Sequence, residues 1–404
     1  MVALVSLRKR RLISAASSDC NGGERRVFEN PFRGVLIMMA IAHFPLKTDL
    51  LEPGVKISDF IGRNSFPLTR ASNVSSLVVP RHPCNVSEET MRDVTAKLEE
   101  RLGPVHARQR LGIETEHEQR IFGGGLNFFH IENWYSIHSI IRNSLRLAGL
   151  YRRGCRNAAR IQVRHNVVAR TDIPVAFKGY TILHISDLHA DMSEAAMQRL
   201  IEILDTLTYD LCVFTGDYRG KTFGPFEASL AGTAKVRSHI KGPVYGVLGN
   251  HDTIRMVPDL EEMGIRMLLN ESGTIVRENQ RIHIAGIDDA HYYRVDNIEK
   301  AASGIPHGDF SILLSHTPEI YRQAAHAGFG LLLGGHTHGG QICLPSSIPI
   351  ILDSTLPRRL GAGPWEYCGM SGYTSVGAGS SVVAVRLNCL PEITLHRLEP
   401  LQGQ

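Results

Sequence analysis

The stretch YTILHIS, residues 180–186, is a short apolar run of strand-forming residues, and it is followed by the polar side chains of DLH. Four similar runs come later: DLCVFTG (210–216), PVYGVLG (243–249), FSILLS (310–315) and GLLLGG (330–335). Stretches between them, such as EAAMQRLIEILDTL and PEIYRQAAHAGF, have the apolar spacing that predicts helices. Short apolar strands that alternate with helices indicate an α/β fold. The tail, SVVAVRLN and then EITLHRLE, is predicted to add two strands as a hairpin-like pair.

Each of the five runs ends beside side chains that can bind a metal ion. In chain order these residues are Asp187, His189, Asp217, Asn250, His316, His336 and His338. Ligands collect at the carboxyl ends of strands that run the same way, so we expect these side chains to converge. Carboxylates, imidazoles and an amide oxygen suit manganese, iron, zinc or magnesium. A carboxylate can bridge two such ions about 3.5 to 4 Å apart, and Asp217 is the natural bridge.

Glycines flank these residues in GNHD (249–252) and GGHTHGGQ (334–341). Glycine permits the tight turns and close backbone approaches that direct several side chains at a shared ion. Asp187 and His189 stand two positions apart, so they point the same way if the strand pleat persists to its end.

Taken together, the blocks DLH, GD, GNHD, SH and GGHTHGGQ, in this order and at these spacings, resemble the five blocks of the calcineurin-like metallophosphoesterases. The resemblance covers Ile161 to Leu398. It implies a four-layer αββα sandwich of two mixed sheets flanked by helices, with two divalent metal ions. The ligands that it implies are Asp187, His189 and His338 for one ion, Asn250, His316 and His336 for the other, and Asp217 for both.

The same resemblance implies a metal-dependent phosphoric ester hydrolase, in which a metal-bound hydroxide attacks phosphorus without a covalent enzyme intermediate. His251 would be unligated and would stabilise charge or protonate the leaving oxygen, and Asp252 would orient its ring. GGHTHGGQ and the apolar ICLPSSIPIILDSTLP (342–357) resemble a bacterial branch of phosphodiesterases that act at membranes or cell envelopes. Some members of the wider group hydrolyse UDP-2,3-diacylglucosamine in lipid A synthesis, so a lipid-linked phosphoester or pyrophosphate is an expected substrate.

Three other functions use the same residues: a protein Ser/Thr phosphatase, a nuclease and a non-enzymatic metal-binding scaffold. Protein phosphatases resemble one another beyond these blocks, in features that this sequence does not show. Single-stranded nucleic acid binding requires a basic groove interleaved with aromatic residues, and without one no nucleic-acid partner is expected. A scaffold would have lost ligands, whereas this chain keeps all of them.

The remaining histidines and the cysteines are expected to be structural. His184, next to the first block, is expected to be a packing residue, and His283 and His291, near GIDDAH, are expected to have ordinary loop roles. The 7 Cys contain no Cys-x-x-Cys pair, which argues for reduced thiols rather than a disulfide framework or a zinc knuckle. The net charge of +4 points to no particular partner.

The expected domain organisation has three parts. Residues 1–117 form an N-terminal extension that is uncertain or partly disordered, with one predicted helix, SEETMRDVTAKLEERLG, that begins at the N-cap Ser87. Residues 118–160 form an amphipathic Arg-rich helical segment, and residues 161–400 form the metallophosphoesterase domain.

The Arg-rich segment leaves two interpretations open. Apolar residues recur at helical spacing, namely Trp134, Ile137, Ile141, Leu145 and Ala148. On another face of the same predicted helix lie Arg142, Arg146 and Arg153. Such a helix either makes peripheral contact with an anionic membrane or packs on the catalytic domain with a solvated basic edge.

No apolar run reaches the roughly 18 to 20 residues that span a bilayer; GVLIMMAIA, from Gly34, is about half that length. The basic, Ser-rich start lacks the long apolar centre of a signal peptide. The expected location is therefore cytoplasmic, with peripheral contact at the inner face of the membrane.

Overall fold

The computed structural model describes residues 88–122 and 135–402 of the chain. The predicted N-cap Ser87, the aromatic Trp134 and the side chain of Ile137 lie outside what is described, as does most of the predicted extension. The helices are α1 (Glu88–Leu102), α2 (Pro104–Phe122), α3 (Tyr135–Leu147), α4 (Tyr151–Ala158), α5 (Glu194–Leu204), α6 (Glu227–Arg237), α7 (Val257–Glu262), α8 (Ile298–Ala302) and α9 (Tyr321–His326).

The strands form two large sheets and one small pair. They are β1 (Gln162–Arg170), β2 (Thr181–Ile185), β3 (Leu211–Thr215), β4 (Val244–Val247), β5 (Arg266–Met267), β6 (Glu271–Arg277), β7 (Gln280–Gly286), β8 (Ser311–Leu314), β9 (Leu331–Gly334), β10 (Cys343–Leu344), β11 (Ile348–Pro349), β12 (Gly363–Tyr367), β13 (Met370–Thr374) and β14 (Glu392–Pro400).

The first sheet has the order β1-β14-β2-β3-β4-β5. Its strands are parallel neighbours except for β14 and β2, which pair antiparallel. The second sheet has the order β12-β13-β9-β8-β7-β6, with a parallel centre and antiparallel pairs at both edges. Both sheets are therefore mixed, and in each of them a parallel centre directs several strand ends to one edge.

Side-chain alternation along the strands places one core between the sheets and one on each outer face. On β2, Ile182 packs into the core between the sheets while Leu183 packs outward against α5. On β8, Ile312 faces the same central core and Leu313 packs outward against α9. Full burial of each such side chain contributes about 1.5 to 3 kcal/mol. The predicted four-layer αββα sandwich is thus confirmed.

The tail differs from the predicted hairpin-like pair. EITLHRLE forms most of β14, which lies between β1 and β2 and pairs with β1 in parallel. SVVAVRLN is irregular, with positive φ at Val382 (60°) and Asn388 (54°). Its Arg386 is fully buried and donates to the carbonyls of Val376, Gly379 and His338 at 2.7, 2.6 and 2.9 Å. Residues 381–388 are thus bonded through Arg386 to the loops after β13 and β9 and form no regular strand.

Two helical features also differ from expectation. The helix predicted near Ser87 is present as α1, but a second helix, α2, follows it directly. The Arg-rich segment is divided into α3 and α4, because the chain turns at Gly149, where φ is 70°. Its predicted apolar stripe is divided as well: Leu145 is buried against Val385, whereas Ala148 is exposed.

A search of the described helices for a segment long and apolar enough to cross a membrane found none.

Candidate metal centre

All seven predicted metal-binding residues lie just beyond strand ends. Asp187 and His189 follow β2, Asp217 follows β3, and Asn250 follows β4, all in the first sheet. His316 follows β8, and the pair His336 and His338 follows β9, both in the second sheet. The carboxyl ends of the two sheets therefore meet at one site, and all seven residues are at least nine-tenths buried there.

One group of donor atoms forms around Asp187. The Nε2 atoms of His189 and His338 lie 3.1 Å apart, and Nε2 of His338 is 3.3 Å from Oδ1 of Asp187. One donor atom from each of these three residues lies within 4.8 Å of the others, a spacing that could hold a metal ion.

A second group forms around Asn250. Its Oδ1 lies 2.9 Å from Nε2 of His316 and 2.9 Å from Nδ1 of His336. Oδ2 of Asp217 is 3.2 Å from Nε2 of His316 and 3.8 Å from Nε2 of His189, so this carboxylate faces both groups. Such a position is what a bridging ligand requires.

Several of these residues have a backbone conformation that side chains other than glycine rarely adopt. Positive φ angles of 51°, 41°, 57°, 70° and 50° occur at Asp187, His189, Asp217, His336 and His338. Each such residue costs free energy, and strained residues of this kind cluster at functional sites. The fold therefore tolerates strain to direct these side chains inward.

The protonation chemistry of the donors fits cations. Burial raises the pKa of Asp187; the neighbouring charge of His316 opposes that rise, and the second carboxylate, Asp217, adds to it. Burial holds the pKa of His336 and of His338 well below the ordinary range, which keeps both rings neutral and able to bind a metal. Burial opposes the charged form of His316, but Asp217 raises its pKa to about 10. The donor set suits borderline or hard divalent ions.

Backbone carbonyls orient two of the rings. Nδ1 of His189 lies 2.7 Å from the carbonyl of Arg219, and Nδ1 of His316 lies 2.7 Å from the carbonyl of Thr215. An Nδ1–H that donates to a carbonyl directs Nε2 of the same ring at the centre.

His251 borders the centre next to Asp217. Its backbone N–H donates to Oδ1 of Asp217 at 2.9 Å, and its Nε2 lies 3.9 Å from Oδ2 of the same carboxylate. Its Nδ1 is 3.1 Å from Oγ1 of Thr222. The ring is thus close enough to act on a group bound at the centre.

Asp252, predicted to orient the ring of His251, is bonded through its carboxylate to backbone N–H groups. Its carboxylate accepts backbone N–H bonds from Gly249, Asp217 and Tyr218 at 2.8, 2.7 and 2.9 Å. These bonds join the turn after β4 to the turn after β3. Asp252 therefore organises the backbone that carries Asp217, and Thr222 is the side chain that contacts Nδ1 of His251.

The glycines have the close approaches that the sequence predicts. A Cβ at Gly249 would lie 2.1 Å from Oδ1 of Asp217. A Cβ at Gly335 would lie 1.9 Å from Oγ of Ser186 and 2.3 Å from Oδ2 of Asp187. Any side chain at these two positions would displace a carboxylate of the centre.

Two residues beside the centre were not predicted as part of it. Nη2 of Arg386 lies 3.0 Å from Nδ1 of His338 and places a positive charge beside that ring. His291, expected to have an ordinary loop role, has its ring centroid 4.3 Å from that of His336, and its Nδ1 is 2.9 Å from Glu319. No local motif marks either residue, because both reach the centre only through the tertiary fold.

His184 lies where the sequence predicts, whereas His283, expected to have an ordinary loop role, lies instead on a strand and is buried. His184 is fully buried between the sheets and contacts Thr215 and His396, which confirms its packing role. His283, on β7, lies 3.0 Å from the carboxylate of Asp309.

Comparison with known proteins identifies relatives of this chain. A family model described as calcineurin-like phosphoesterase matches residues 180–340. The uncharacterized metallophosphoesterase YkoQ of Bacillus subtilis is 28% identical over 256 residues, covering 60% of this chain and 92% of that protein. Phosphodiesterase YaeI of Escherichia coli is 26% identical over 252 residues, 58% of this chain and 87% of that protein. The uncharacterized protein YpbG of Bacillus subtilis is 30% identical over 217 residues, 52% of this chain and 78% of that protein.

The fold, the donor groups and these relatives define a metal-dependent phosphoric ester hydrolase that uses two divalent metal ions. More specifically, the chain belongs to the calcineurin-like phosphoesterase family.

Proposed function

We propose that this chain hydrolyses phosphodiesters, with pyrophosphates as a related substrate class. The observation that supports the proposal is the convergence of seven oxygen and nitrogen donors beside a further buried imidazole, that of His251. The relative YaeI is named a phosphodiesterase. We assign the activity to residues 161–400.

The two ions are assigned by the two donor groups. Asp187, His189 and His338 would hold one ion, Asn250, His316 and His336 would hold the other, and Asp217 would contribute to both. When bound, such ions activate water and clamp the attacking and leaving oxygens of an in-line displacement.

The protein's own residues then orient the reaction. The carbonyls of Arg219 and Thr215 fix two of the rings, and Asp252 fixes the backbone of Asp217. His251, held at Nδ1 by Thr222, presents its other nitrogen to the leaving oxygen and donates a proton there.

The proposal is tested by loading the protein with manganese, iron, zinc or magnesium in turn. Each form is then assayed with bis(p-nitrophenyl) phosphate, p-nitrophenyl phosphate, a phosphopeptide, single-stranded DNA and a nucleoside diphosphate ester. We expect the diester or the pyrophosphate to be turned over fastest. Preferential hydrolysis of the phosphopeptide or of DNA would favour a protein phosphatase or a nuclease. Full metal occupancy without any turnover would identify a metal-binding scaffold.

A second candidate refines the substrate class. Three apolar side chains in α3 and the turn after it are exposed to solvent: Ile140 at 61%, Leu147 at 91% and Leu150 at 38%. They lie among exposed Arg side chains, those of Arg142, Arg146, Arg152 and Arg153. Apolar and basic side chains together suit an anionic membrane surface. We therefore infer a lipid-linked substrate, such as UDP-2,3-diacylglucosamine, presented at an anionic membrane.

Vesicle sedimentation tests this second candidate. The protein should bind anionic vesicles more than neutral ones, and salt should weaken binding because exposed charges are screened within about 8 Å at physiological ionic strength. Replacing Arg142, Arg146 and Arg153 by Glu should release it, since each Arg contributes on the order of 1 kcal/mol near an anionic surface. Turnover of a soluble diester should survive.

A matched control changes the same number of charges elsewhere, at the exposed side chains of Lys178, Lys241 and Lys300. This variant should still bind anionic vesicles. Equal partitioning of all three proteins, or equal binding to anionic and neutral lipid, would contradict the membrane candidate and leave the diesterase proposal intact.

A further inference from the structure

Helix α2 contacts two loops that border the metal centre, although it lies outside the residues that match the family model. We name the first loop, residues 249–255, the His251 turn. We name the second, residues 288–293, the His291 loop. His251 contacts Asp217 and His291 contacts the ring of His336, so the two loops carry polar side chains on either side of the metal-binding residues.

Arg110 of α2 reaches both loops with one side chain. It is fully buried, and its Nη2 donates to the carbonyl of Asp252 in the His251 turn at 3.0 Å. Its Cζ lies 3.3 Å from the ring centroid of Tyr293 in the His291 loop, and its Nε is 3.6 Å from the carboxylate of Asp288. A planar guanidinium can donate along its edge and stack on a ring face at once, which an ammonium group cannot.

Glu114, one helical turn further along α2, holds the rest of the His251 turn. Its carboxylate accepts from Oγ1 of Thr253 at 2.6 Å, from the backbone N–H of Ile254 at 2.8 Å and from Nη1 of Arg255 at 3.0 Å. Hydrogen bonds that a buried carboxylate accepts from backbone and side-chain donors are among the stronger hydrogen bonds in proteins.

The His291 loop is held by two further residues of α2. Nε2 of His106 lies 2.9 Å from Oδ2 of Asp288. The ring of His117 is 4.6 Å from that of Tyr292 and 5.8 Å from that of Tyr293.

The preceding helix anchors this arrangement to the sandwich. Arg101 of α1 donates to Glu261, at the end of α7, and to Glu271, at the start of β6, at 3.0 and 2.6 Å. The pair of helices is therefore fixed to the domain at one end and to both loops at the other.

We propose that α2 is a clamp that sets the distance between the His251 turn and the His291 loop, with Arg110 as the positioning residue for His251. The inference rests on the proposed function, in which His251 gives a proton to the leaving oxygen. Arg110 acts only through the position of His251. Its replacement should therefore lower the rate most when the leaving group needs the proton that His251 gives.

The test compares two diesters with the wild-type protein and variants under identical metal loading. One diester releases p-nitrophenolate, which leaves readily without a proton, and the other releases an alkyl alcohol, whose oxygen must gain a proton as it leaves. Arg110→Met should keep both ions bound. Since misplacement by about 1 Å can cost a factor of roughly 10², kcat should fall roughly ten- to hundred-fold for the alkyl ester and much less for the nitrophenyl ester, with KM little changed.

Matched variants separate positioning from loss of folding. Arg108→Met removes a guanidinium that lies on the exposed side of the same helix and is 70% exposed, so it should behave as wild type. Arg110→Lys should recover part of the lost rate, since an ammonium can donate to the Asp252 carbonyl but does not stack on Tyr293 as the guanidinium does. Should Arg110→Met fail to fold, Glu114→Gln is the deciding variant, with the same leaving-group dependence and a smaller loss.

Hydrogen exchange provides a second measurement. Amides of both the His251 turn and the His291 loop should exchange faster in Arg110→Met or Glu114→Gln, while those of β3 and β8 should not change. Faster exchange in one loop alone would show a local contact rather than a clamp, and would overturn the proposal.

The kinetic outcomes also distinguish the clamp from the proposed function. A wild-type protein that is inactive on both diesters refutes the hydrolase proposal itself. If the wild type is active and His251→Ala shows the leaving-group dependence while Arg110→Met and Glu114→Gln do not, only the clamp is refuted. Equal losses of rate on both esters in Arg110→Met would also overturn the clamp. So would a His251→Ala variant without leaving-group dependence, because His251 would then not act as an acid that α2 could position.

Discussion

Buried histidines occur in two regions of this molecule, and in one of them carboxylates lie beside the rings. At the strand ends, His316 faces the carboxylate of Asp217, and that partner raises its pKa to about 10 despite burial. Between the sheets, His184 and His396 contact each other at 3.2 Å and face hydroxyl and amide groups. Burial lowers the pKa of His184 to about 3.

The difference shows that burial alone does not make a histidine functional. In both regions desolvation disfavours the charged ring, and at the strand ends carboxylates outweigh it for His316 but not for His336 and His338, which stay neutral like the interior pair. The interior pair is therefore held neutral and contributes packing and hydrogen bonds. The strand-end histidines surround the buried carboxylates of Asp187 and Asp217, and bound cations would neutralise the charge of these carboxylates.

The largest expected effect comes from Asp217→Asn. This side chain faces both donor groups, so its replacement should lower bound metal and abolish hydrolysis while most of the fold remains. Metal analysis, circular dichroism and a diester assay measure the three quantities.

The matched control for this variant is His396→Asn in the interior pair, which is equally buried and should keep both ions and turnover. Normal activity with full metal occupancy in Asp217→Asn would refute the bridging assignment. Losing a terminal donor such as His189 should be milder than losing Asp217, because the second ion and the shared carboxylate remain.

The next effect is that of His251→Ala. Because this ring borders the centre without belonging to either donor group, both ions should stay bound. The rate should fall by roughly 10² to 10⁴, as is typical when a general acid or base is removed. Metal content and kcat are measured together, and loss of an ion would instead identify His251 as a ligand.

Chelation should have a smaller effect, on stability. An ion that binds only the folded state stabilises it by about 2.7 kcal/mol at a hundredfold excess over its Kd. For a domain of this size that corresponds to a rise in Tm of roughly 5 to 10 °C. Differential scanning calorimetry with manganese and then with EDTA tests it. The shift should persist in His396→Asn and shrink in Asp217→Asn, and equal shifts in both would contradict the assignment.

The sequence predicts the metal centre better than the surroundings of that centre. The donors follow apolar runs at five strand ends, so parallel strands bring them together without further information. Arg386 and Thr222 have no such marker, since each reaches a histidine through an irregular segment. Helix α2 was missed for a related reason: it buries the charged residues Arg110 and Glu114, which a pattern of apolar residues assigns to the surface.

The apolar stripe of α3 shows a similar limit. Helical spacing identified Leu145 correctly as a residue of an apolar face, and the structure packs it on Val385. The spacing could not show that the chain turns at Gly149 or that Ala148, placed on the same face, is exposed.

The smallest expected effect concerns pH and the interior pair. The pKa of His184 is lowered from 6.5 to about 3 by burial, so between these values the unfolded chain binds a proton that the folded chain does not. The stabilisation from a neutral His184 is therefore complete above pH 6.5 and is lost as the pH falls, by about 1.4 kcal/mol per pH unit. Urea unfolding at pH 7, 6 and 5, in EDTA to remove any contribution from bound metal, measures that slope. In His184→Asn the dependence of the unfolding free energy on pH should be smaller by the contribution of one proton, about 1.4 kcal/mol per pH unit, whatever the stability of the variant at pH 7. The carboxylates of the centre titrate in both proteins, so their contribution cancels in the difference. An equal slope in the two proteins would mean that His184 gains its proton in the folded state as readily as in the unfolded chain, and the contrast between the two groups of histidines would fail.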